Sequence, residues 1–248
     1  MYRRLAACLL MLTVIRAEAA SLDDLVNTPC EPRPDRPPVV LIHGTFASTQ
    51  RAFSTLAPAL KADGYCLYAM NYGKQGLLSP NGTGDIRQSA DTLGRFVQDV
   101  LARTGATKVN LVGHSQGGLL AMLLARRADL AAQVARVVAV APSLRGTDRV
   151  RSQDSVPLCT ACTQQASDSD FIKNANAEPW LASGVKAMIL ATRNDLVVTP
   201  VDAQFVAAPG IRNVLLQDRY PGLKATHSGL MHVPEAVSLM REFLEEAP

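Results

Sequence analysis

The sequence Gly113-His114-Ser115-Gln116-Gly117 places one hydroxyl between two glycines. An apolar run ending in Leu111-Val112 precedes it, and a second apolar run, LLAMLLA, follows. A tight strand-to-helix turn without any chemical role also uses Gly and Ser. On such a turn, however, a serine Oγ projects above the sheet at a helix N-terminus, where free N–H groups favour developing negative charge. The pattern therefore predicts that Ser115 is a nucleophile for acyl transfer.

The two glycines have a steric explanation under this hypothesis. A serine on so sharp a turn adopts a sparsely populated backbone conformation, and the residues two before and two after it crowd together. We therefore expect Gly113 and Gly117 to be in close backbone contact.

A serine hydroxyl needs a base, and the sequence offers four histidines. His114 adjoins Ser115, and adjacent side chains on such a turn point apart, so we expect it to pack or to make a local hydrogen bond. His43 lies in the HG turn after the first apolar run, where a structural hydrogen bond is the usual role. His227 and His232 lie between the last predicted strand and the final helix. We predict His227 as the base, with His232, which borders Pro234 at the helix start, as the alternative.

The residue that orients the histidine is predicted to be Asp195. It ends the apolar run of ATRNDLVVTP and enters a loop, which places it at the carboxyl edge of the sheet. Asp202 and Asp218 are alternatives, for which surface charge or helix capping is the simpler explanation.

Attack on a carbonyl creates an oxyanion that needs two preorganised donors. One is the backbone N–H of Gln116, the residue after the nucleophile. The other is expected in the HGTFAS segment after the first strand, at Thr45, with Phe46 as the alternative.

The remaining sequence predicts the elements that position these residues. Continuous Val/Ile/Leu runs alternate with helical patterns, which indicates a doubly wound α/β fold with a mostly parallel sheet covered by helices on both faces. The predicted strands are VVLI (39–42), YCLYAMNYG (65–73), KVNLVG (108–113), RVVAVAP (136–142), VKAMILATRND (185–195) and RNVLLQD (212–218). The predicted helices are AFSTLAPALKADG (52–64), GDIRQSADTLGRFVQDVLARTG (84–105), a helix beginning near Ser115, and VPEAVSLMREFLEEA (233–247).

Residues 144–183 interrupt this alternation, because they are polar and have no convincing period. We expect them to form a lid-like excursion from the sheet or a pocket wall.

The N-terminus has the features of a secretory signal peptide. A basic MYRR start, the apolar run LAACLLMLTVI and the small-x-small sequence Ala17-Glu18-Ala19 predict cleavage near Ala19 or Ala20 and export of one domain, residues 21–248. The formal net charge is only +3, and no basic stretch carries interleaved aromatic residues, which disfavours a nucleic acid partner.

In an exported protein the four remaining cysteines, an even number, are expected to form disulfides. Three pairings are open, of which Cys30–Cys66 with Cys159–Cys162 is the simplest. A redox role for the Cys159-Thr160-Ala161-Cys162 sequence is disfavoured, because that motif normally opens a helix after a strand, whereas here it lies in the excursion.

The segments VVLIHGTFAS, GYCLYAMNYG, TGATKVNLVGHSQGG, LCTACTQQASDSDF and NDLVVTP together resemble the secreted bacterial lipases called lipase class 2, within the α/β-hydrolase superfamily. The resemblance runs from about Cys30 to the C-terminus. It implies hydrolysis of carboxylic esters, including acylglycerols, by Ser, Asp and His without an organic cofactor; Ser115, Asp195, His227, Thr45 and Gln116 occupy the matching positions. No metal site is predicted, because Asp168 and Asp170 are not completed by a set of metal ligands. Such relatives often carry a further cysteine after the strand matching NVLLQD, where this chain has Arg219-Tyr220, and this absence implies the Cys159–Cys162 pairing.

We expect a small-molecule or lipid ester as substrate, transient contact with a lipid surface, and no stable protein partner. Apolar residues predicted near the pocket mouth could hold an acyl chain, chiefly Phe46, Leu144 and Leu196, with Leu77, Leu78, Val197 and Leu230 as further candidates. A short-chain esterase or a polyester depolymerase would use the same chemistry. A ligand-binding protein or a CxxC redox protein on the same fold is the non-hydrolase alternative.

Overall fold

A computed structural model describes residues 21–246 of this chain. The predicted signal peptide lies outside the described residues, as do Ala247 and Pro248.

Six parallel strands form one sheet in the order β2-β1-β3-β4-β5-β6. This arrangement is the predicted doubly wound sheet, and all six predicted strands are present. Their bounds are β1 Val39–Ile42, β2 Leu67–Ala69, β3 Val109–His114, β4 Val134–Val140, β5 Lys186–Ala191 and β6 Ile211–Leu215.

Nine α-helices connect and cover the strands within the described residues. They are α1 Leu22–Leu25, α2 Thr49–Phe53, α3 Leu56–Ala62, α4 Ile86–Thr104, α5 Gln116–Arg126, α6 Thr160–Gln164, α7 Asp170–Asn176, α8 Leu216–Arg219 and α9 Pro234–Glu245. Three short 3₁₀ turns accompany them at Ala131–Gln133, Val201–Gln204 and Gly229–Met231.

Two apolar clusters cover the two faces of the sheet. Successive side chains of a strand point to opposite faces, and in β1 Val40 and Ile42 belong to one cluster while Val39 and Leu41 belong to the other. The first cluster is completed by α4, α5 and α7, and the second by α2, α3 and α9. The sheet is therefore buried on both faces. A functional site can form only at the ends of the strands.

One predicted helix is two helices in the structure. The pattern at 52–64 predicts a single helix, but α2 ends at Phe53 and α3 begins at Leu56. Pro58 accounts for the break, because a proline cannot donate to the carbonyl four residues earlier, here that of Ser54, and its ring clashes with that carbonyl. By contrast, α4 matches its pattern: Asp85 accepts from the N–H of Gln88, and Gly105 ends the helix with φ of +67°.

The excursion between β4 and β5 contains α6 and α7, which its irregular pattern did not predict. The structure joins Cys159 to Cys162 at the start of α6, and Cys30 to Cys66 just before β2. Cys159 is almost fully buried, which is unlike an accessible redox thiol.

No helix among residues 21–246 is long and apolar enough to cross a membrane. The same residues contain no cluster of three His, Cys, Asp or Glu side chains arranged to hold a metal ion.

Candidate active site

Ser115 occupies the turn between β3 and α5 with φ of +57° and ψ of −124°. A non-glycine residue with positive φ is strained, and such strain is typical of functional sites. The neighbouring structure holds the turn in place, since the N–H of Ser115 donates to the carbonyl of Val140 at 2.8 Å. Ser115 therefore has the sparsely populated backbone conformation that the sequence predicts for a nucleophile on a sharp turn, and it is 8% exposed.

The glycines around Ser115 are required by close backbone contacts. A Cβ on Gly113 would lie 2.1 Å from the carbonyl oxygen of Gly117, and a Cβ on Gly117 would lie 2.0 Å from that of Ile42. A Cβ on Gly44 would lie 2.9 Å from Cβ of Ser115. The β1–α2 loop and the β3–α5 turn are thus packed backbone to backbone.

Asp195 and His227 form a buried pair. Nδ1 of His227 lies 2.7 Å from Oδ2 of Asp195, and both residues are more than nine-tenths buried. Oδ1 of Asp195 accepts the N–H groups of Val197 and Val198 at 2.8 and 3.0 Å. Asp195 therefore fixes the orientation of the imidazole through its Nδ1 atom. The backbone amides of its own loop fix Asp195 in turn.

The charge of Asp195 follows from these bonds. Burial acts to raise the pKa of its carboxyl group, but the hydrogen bond and charge of His227 and the amides of Val197 and Val198 outweigh burial, so the pKa lies below its usual value. Because an ionised carboxylate only accepts, the proton of the neutral imidazole sits on Nδ1. Nε2 of His227 is then free to accept a proton.

His114 links the turn to the His227 loop. Its ring lies 4.7 Å from the ring of His227, centroid to centroid, and its Nε2 is 3.1 Å from the backbone carbonyl oxygen of His227. Burial, followed by repulsion from His227, lowers the pKa of His114 to about 3. The structure brings His227 next to the residue that precedes Ser115. Within residues 21–246 no hydrogen bond joins the Ser115 hydroxyl to His227, and in the absence of substrate such bonds are often long.

The other two histidines have structural contacts. His43 donates from Nδ1 to the carbonyl of Gly44 at 2.8 Å and accepts the N–H of Tyr72, while burial lowers its pKa to about 4. His232 is exposed and lies 2.9 Å from the hydroxyl of Thr55.

The alternative acids lie apart from the histidine. Asp218 pairs with Arg193 on the surface, and Asp202 is exposed in a 3₁₀ turn.

The donors predicted for an oxyanion lie on the loop and turn that pack together. The N–H of Phe46 already donates to the carbonyl of Asn81 at 3.0 Å. Within the described residues, the backbone N–H groups of Thr45 and Gln116 make no hydrogen bond. They are therefore the amides left to receive a negatively charged oxygen.

Comparison with known proteins gives these features a context. Residues 37–158, which contain Thr45, Ser115 and Gln116, match the protein family described as alpha/beta hydrolase fold. The chain has the α/β-hydrolase fold.

Curated relatives of this chain include two triacylglycerol lipases. The one from Pseudarthrobacter phenanthrenivorans is 38% identical over 119 residues, covering 46% of this chain and 35% of the relative. The one from Burkholderia plantarii is also 38% identical over 119 residues, covering 46% of this chain and 31% of the relative. The match thus spans about a third of each relative's length.

Solved structures agree on the fold. Lipase B of Aspergillus fumigatus superposes with a TM-score of 0.75 at 18% identity, over 91% of this chain and 56% of that one. The mature lipase BlEst2 of Bacillus licheniformis superposes with a TM-score of 0.64 at 17% identity, over 88% and 96% of the two chains.

The predicted acyl-contacting residues divide into two groups in the structure. Phe46 and Leu196 are exposed, at 54% and 72% of their surface, in the loops after β1 and β5. Leu144 was predicted to line the pocket, but its accessible surface is 0% and it packs in the apolar cluster with α5 and α7. Leu144 is therefore a core residue, because the chain turns inward directly after β4.

Two glutamines near the site were not predicted. Gln204 is fully buried and donates to Oδ2 of Asp195 at 2.9 Å and to the carbonyl of Val198. Gln165, at the end of α6, donates to the Thr45 hydroxyl oxygen at 2.9 Å. Gln165 lies within LCTACTQQASDSDF, one of the segments that resemble the lipases, but no role was predicted for it, and Gln204 lies in none of those segments. Only the fold brings the two glutamines to the site.

A cavity of about 640 Å³ lies at the opposite end of the α/β-hydrolase sheet, at the strand starts. Its lining includes Tyr65, Asn110 and Lys186 and none of the predicted site residues. It is separate from the site around Ser115.

Proposed function

We propose that this protein is an exported serine hydrolase that cleaves carboxylic esters through an acyl-enzyme. The observation that carries the proposal is the combination of a strained Ser115 with the buried Asp195–His227 pair in the loop that contacts the same turn. A turn that served only to connect β3 and α5 would not need that strain.

The chemistry follows from the protonation states. Nε2 of His227 accepts the proton of the Ser115 hydroxyl as Oγ attacks the ester carbonyl, and the imidazolium that forms is stabilised by Asp195. The imidazolium then gives the proton to the departing alcohol, which leaves an acyl group on Oγ. Water, activated by the same histidine, releases the acid and restores Ser115.

The negative oxygen of each tetrahedral intermediate would be received by the N–H groups of Thr45 and Gln116. The hydroxyl of Thr45 is a third donor at this position, because it lies on the same loop and its oxygen already accepts two side-chain amides. Removing one oxyanion donor typically lowers kcat by about 10²–10³-fold.

The substrate is proposed to be an ester with an apolar acyl chain, presented at a lipid surface. The large apolar side chains that are exposed all lie in segments that follow β1, β2, β4 and β5 at their carboxyl ends, the same edge as Ser115: Phe46, Leu77, Leu78, Leu158, Leu196 and Val197. An apolar rim of this kind favours docking on a lipid aggregate. The names of the curated relatives, triacylglycerol lipases, agree with this class of substrate.

The test is ester hydrolysis by the wild type and by Ser115→Ala, over a series of p-nitrophenyl esters of increasing chain length, below and above micelle formation. We expect Ser115→Ala to lose about 10⁴–10⁶ in kcat with its fold intact. Ser228→Ala removes an exposed hydroxyl beside His227 and serves as the matched control, with unchanged rates. Full activity of a folded Ser115→Ala variant would refute the proposal. A rate that rises above the micelle threshold for long chains distinguishes a lipase from a short-chain esterase.

Export is part of the proposal and rests on the N-terminal sequence. N-terminal sequencing of protein recovered outside the producing cytoplasm should begin near Ser21, and recovery of the uncleaved chain from the cytoplasm alone would contradict it.

A further inference from the structure

The side-chain amide of Gln165 makes three hydrogen bonds. It is buried at the end of α6, within the excursion between β4 and β5. Its Nε2 donates to the carbonyl of Ala161 at 3.1 Å and to the hydroxyl oxygen of Thr45 at 2.9 Å, and its Oε1 accepts the hydroxyl of Ser143 at 2.8 Å. The carbonyl of Ala161 can only accept, so the amide cannot be turned the other way.

Gln116 approaches the same hydroxyl from the other side. Its Nε2 donates to the carbonyl of Gly82 at 3.0 Å and to the oxygen of Thr45 at 3.1 Å. As with Gln165, the backbone carbonyl fixes which end of the amide carries the hydrogens. Each glutamine therefore uses one N–H on a carbonyl and its other N–H on Thr45.

These bonds determine where the proton of Thr45 points. A hydroxyl oxygen has two acceptor positions and one proton. Both acceptor positions of Thr45 are occupied by amide donors, and the proton takes the remaining direction. Within the described residues this hydroxyl donates to no protein atom.

We propose that Gln165 is a positioning residue that, together with Gln116, turns the Thr45 hydroxyl proton towards the oxyanion. The inference rests on the proposed ester hydrolysis and adds a role for the excursion. Without Gln165 an acceptor position of Thr45 is empty, and the hydroxyl rotates among several directions. Its proton is then aligned with the oxyanion for only part of the time.

The Cys159–Cys162 bridge supports this arrangement. It spans the first turn of α6, whose Ala161 carbonyl accepts from Gln165 both the side-chain amide and the backbone N–H. The N–H of Ala161 in turn donates to the carbonyl of Thr83, next to Gly82. Opening the bridge would loosen α6 and with it the amide of Gln165. The bridge is therefore proposed to act on catalysis through Gln165 and Thr45.

A double-mutant cycle between Gln165 and Thr45 tests the proposal with a short, soluble p-nitrophenyl ester. Gln165→Glu replaces the donor by a carboxylate that accepts the Thr45 proton and draws it away from the oxyanion. Thr45→Val removes the hydroxyl and keeps the backbone N–H. We measure kcat and KM of both single variants and of the double variant, with thermal melting to establish folding.

The oxyanion exists only after attack, so the expected losses are in kcat, with KM little changed. We expect about 10²-fold for Thr45→Val and about tenfold for Gln165→Glu or Gln165→Leu. In the Thr45→Val background either change at Gln165 should alter kcat by less than about twofold, because the group through which it acts is gone. Thr45→Ser, which keeps a hydroxyl, should restore the dependence on Gln165.

Matched variants separate positioning from general loosening of the excursion. Gln164→Leu removes the neighbouring glutamine, which bonds to Ile86 and Asp85 instead of Thr45, and should leave kcat unchanged. Cys159→Ser with Cys162→Ala should lower kcat in the wild-type background but not in Thr45→Val. The pair Cys30→Ala with Cys66→Ala should lower the melting temperature without lowering kcat.

The proposal is overturned if folded Gln165→Glu keeps its full kcat, or if its loss is equally large with and without the Thr45 hydroxyl. A loss that appears only as a higher KM also overturns it. Ser115→Ala, measured in the same assay, distinguishes a failure of the proposed ester hydrolysis from a failure of the proposed role of Gln165. If it is inactive while the cycle fails, ester hydrolysis stands and the role of Gln165 falls, whereas an active Ser115→Ala removes both.

Discussion

The two edges of the sheet are built differently. Among residues 21–246, five residues other than glycine have positive φ. Four of them lie in segments that follow β1, β3 and β4, where large apolar side chains are also exposed: Phe46, Ser115, Ala141 and Leu158. The fifth, Asn27, bonds to Ala69 at the end of β2. At the amino edge, charged pairs join helices and strands. Asp63 binds Arg241 through two bonds of 2.6 Å, Arg36 lies 3.5 Å from Glu245, and Arg212 pairs with Glu246.

The difference shows what each edge does. Strain and exposed apolar surface both cost stability, and they persist where the surrounding structure fixes them for function. Each ion pair at the surface contributes little to the free energy of unfolding, but forming it does not reduce the activity. Changes to the strained turn and to the Asp195–His227 pair at the carboxyl edge should therefore affect the rate, and changes to the ion pairs at the amino edge should affect only the stability.

After Ser115→Ala, the largest expected effect is that of Asp195→Asn. The amide would no longer attract the Nδ1 proton, so His227 would be held in the wrong tautomer and could not accept from Ser115. A loss of about 10⁴-fold in kcat is typical of this replacement in a Ser-His-Asp relay. Steady-state kinetics on a p-nitrophenyl ester measures it.

Two matched carboxyl groups sharpen this prediction. Asp202→Asn and Asp218→Asn remove the other acids considered for the relay, and both should leave kcat within about twofold of the wild type. A large loss in either variant, with Asp195→Asn active, would assign the acid elsewhere.

A smaller effect concerns the pH dependence of stability at His114. Its pKa is about 3 in the folded chain against an ordinary value of 6.5, because it is buried and next to His227. Between these values the unfolded chain binds more protons than the folded one, so the free energy of unfolding falls as the pH is lowered. A fully titrating histidine contributes about 1.4 kcal/mol per pH unit, and His43 adds to the same slope down to about pH 4.

Urea unfolding between pH 4.5 and 7 measures that slope. His114→Gln should reduce it by up to about one proton per molecule. An unchanged slope in His114→Gln would show that His114 is protonated in the folded chain.

The smallest expected effect is at the amino edge. Asp63→Asn removes the charge that pairs with Arg241, and the hydrogen bond of Arg241 is what holds the pKa of Asp63 below its usual value. We expect a loss of about 1 kcal/mol in the free energy of unfolding with kcat unchanged. A lower kcat in an Asp63→Asn variant that is folded like the wild type would contradict the proposed difference between the two edges.

Much of the fold could be predicted from the sequence, because local patterns determine it. The six strands are continuous apolar runs, and Asp85 and Gly105 mark the ends of α4. The fold class is confirmed by the match to the α/β-hydrolase family over 37–158. The split of one predicted helix at Ser54 could have been found from Pro58, since the effect of proline is local.

The parts that could not be predicted depend on contacts between distant segments. Leu144 is apolar, as a residue that contacts an acyl chain would be, but the inward turn after β4 buries it. Gln165 lies 120 positions from Thr45, and Gln204 reaches Asp195 only through the 3₁₀ turn at Val201–Gln204. The segment around Gln165 resembles the lipases but does not single out this glutamine, and Gln204 lies in no such segment.

The most direct test of the central claim, that His227 activates Ser115, is covalent labelling by a p-nitrophenyl alkylphosphonate followed by peptide mass spectrometry. We expect one adduct, on the peptide containing Ser115, with labelling that is abolished in His227→Gln and preserved in His232→Gln. An adduct at another residue, or labelling of Ser115 at the full rate in His227→Gln, would contradict it.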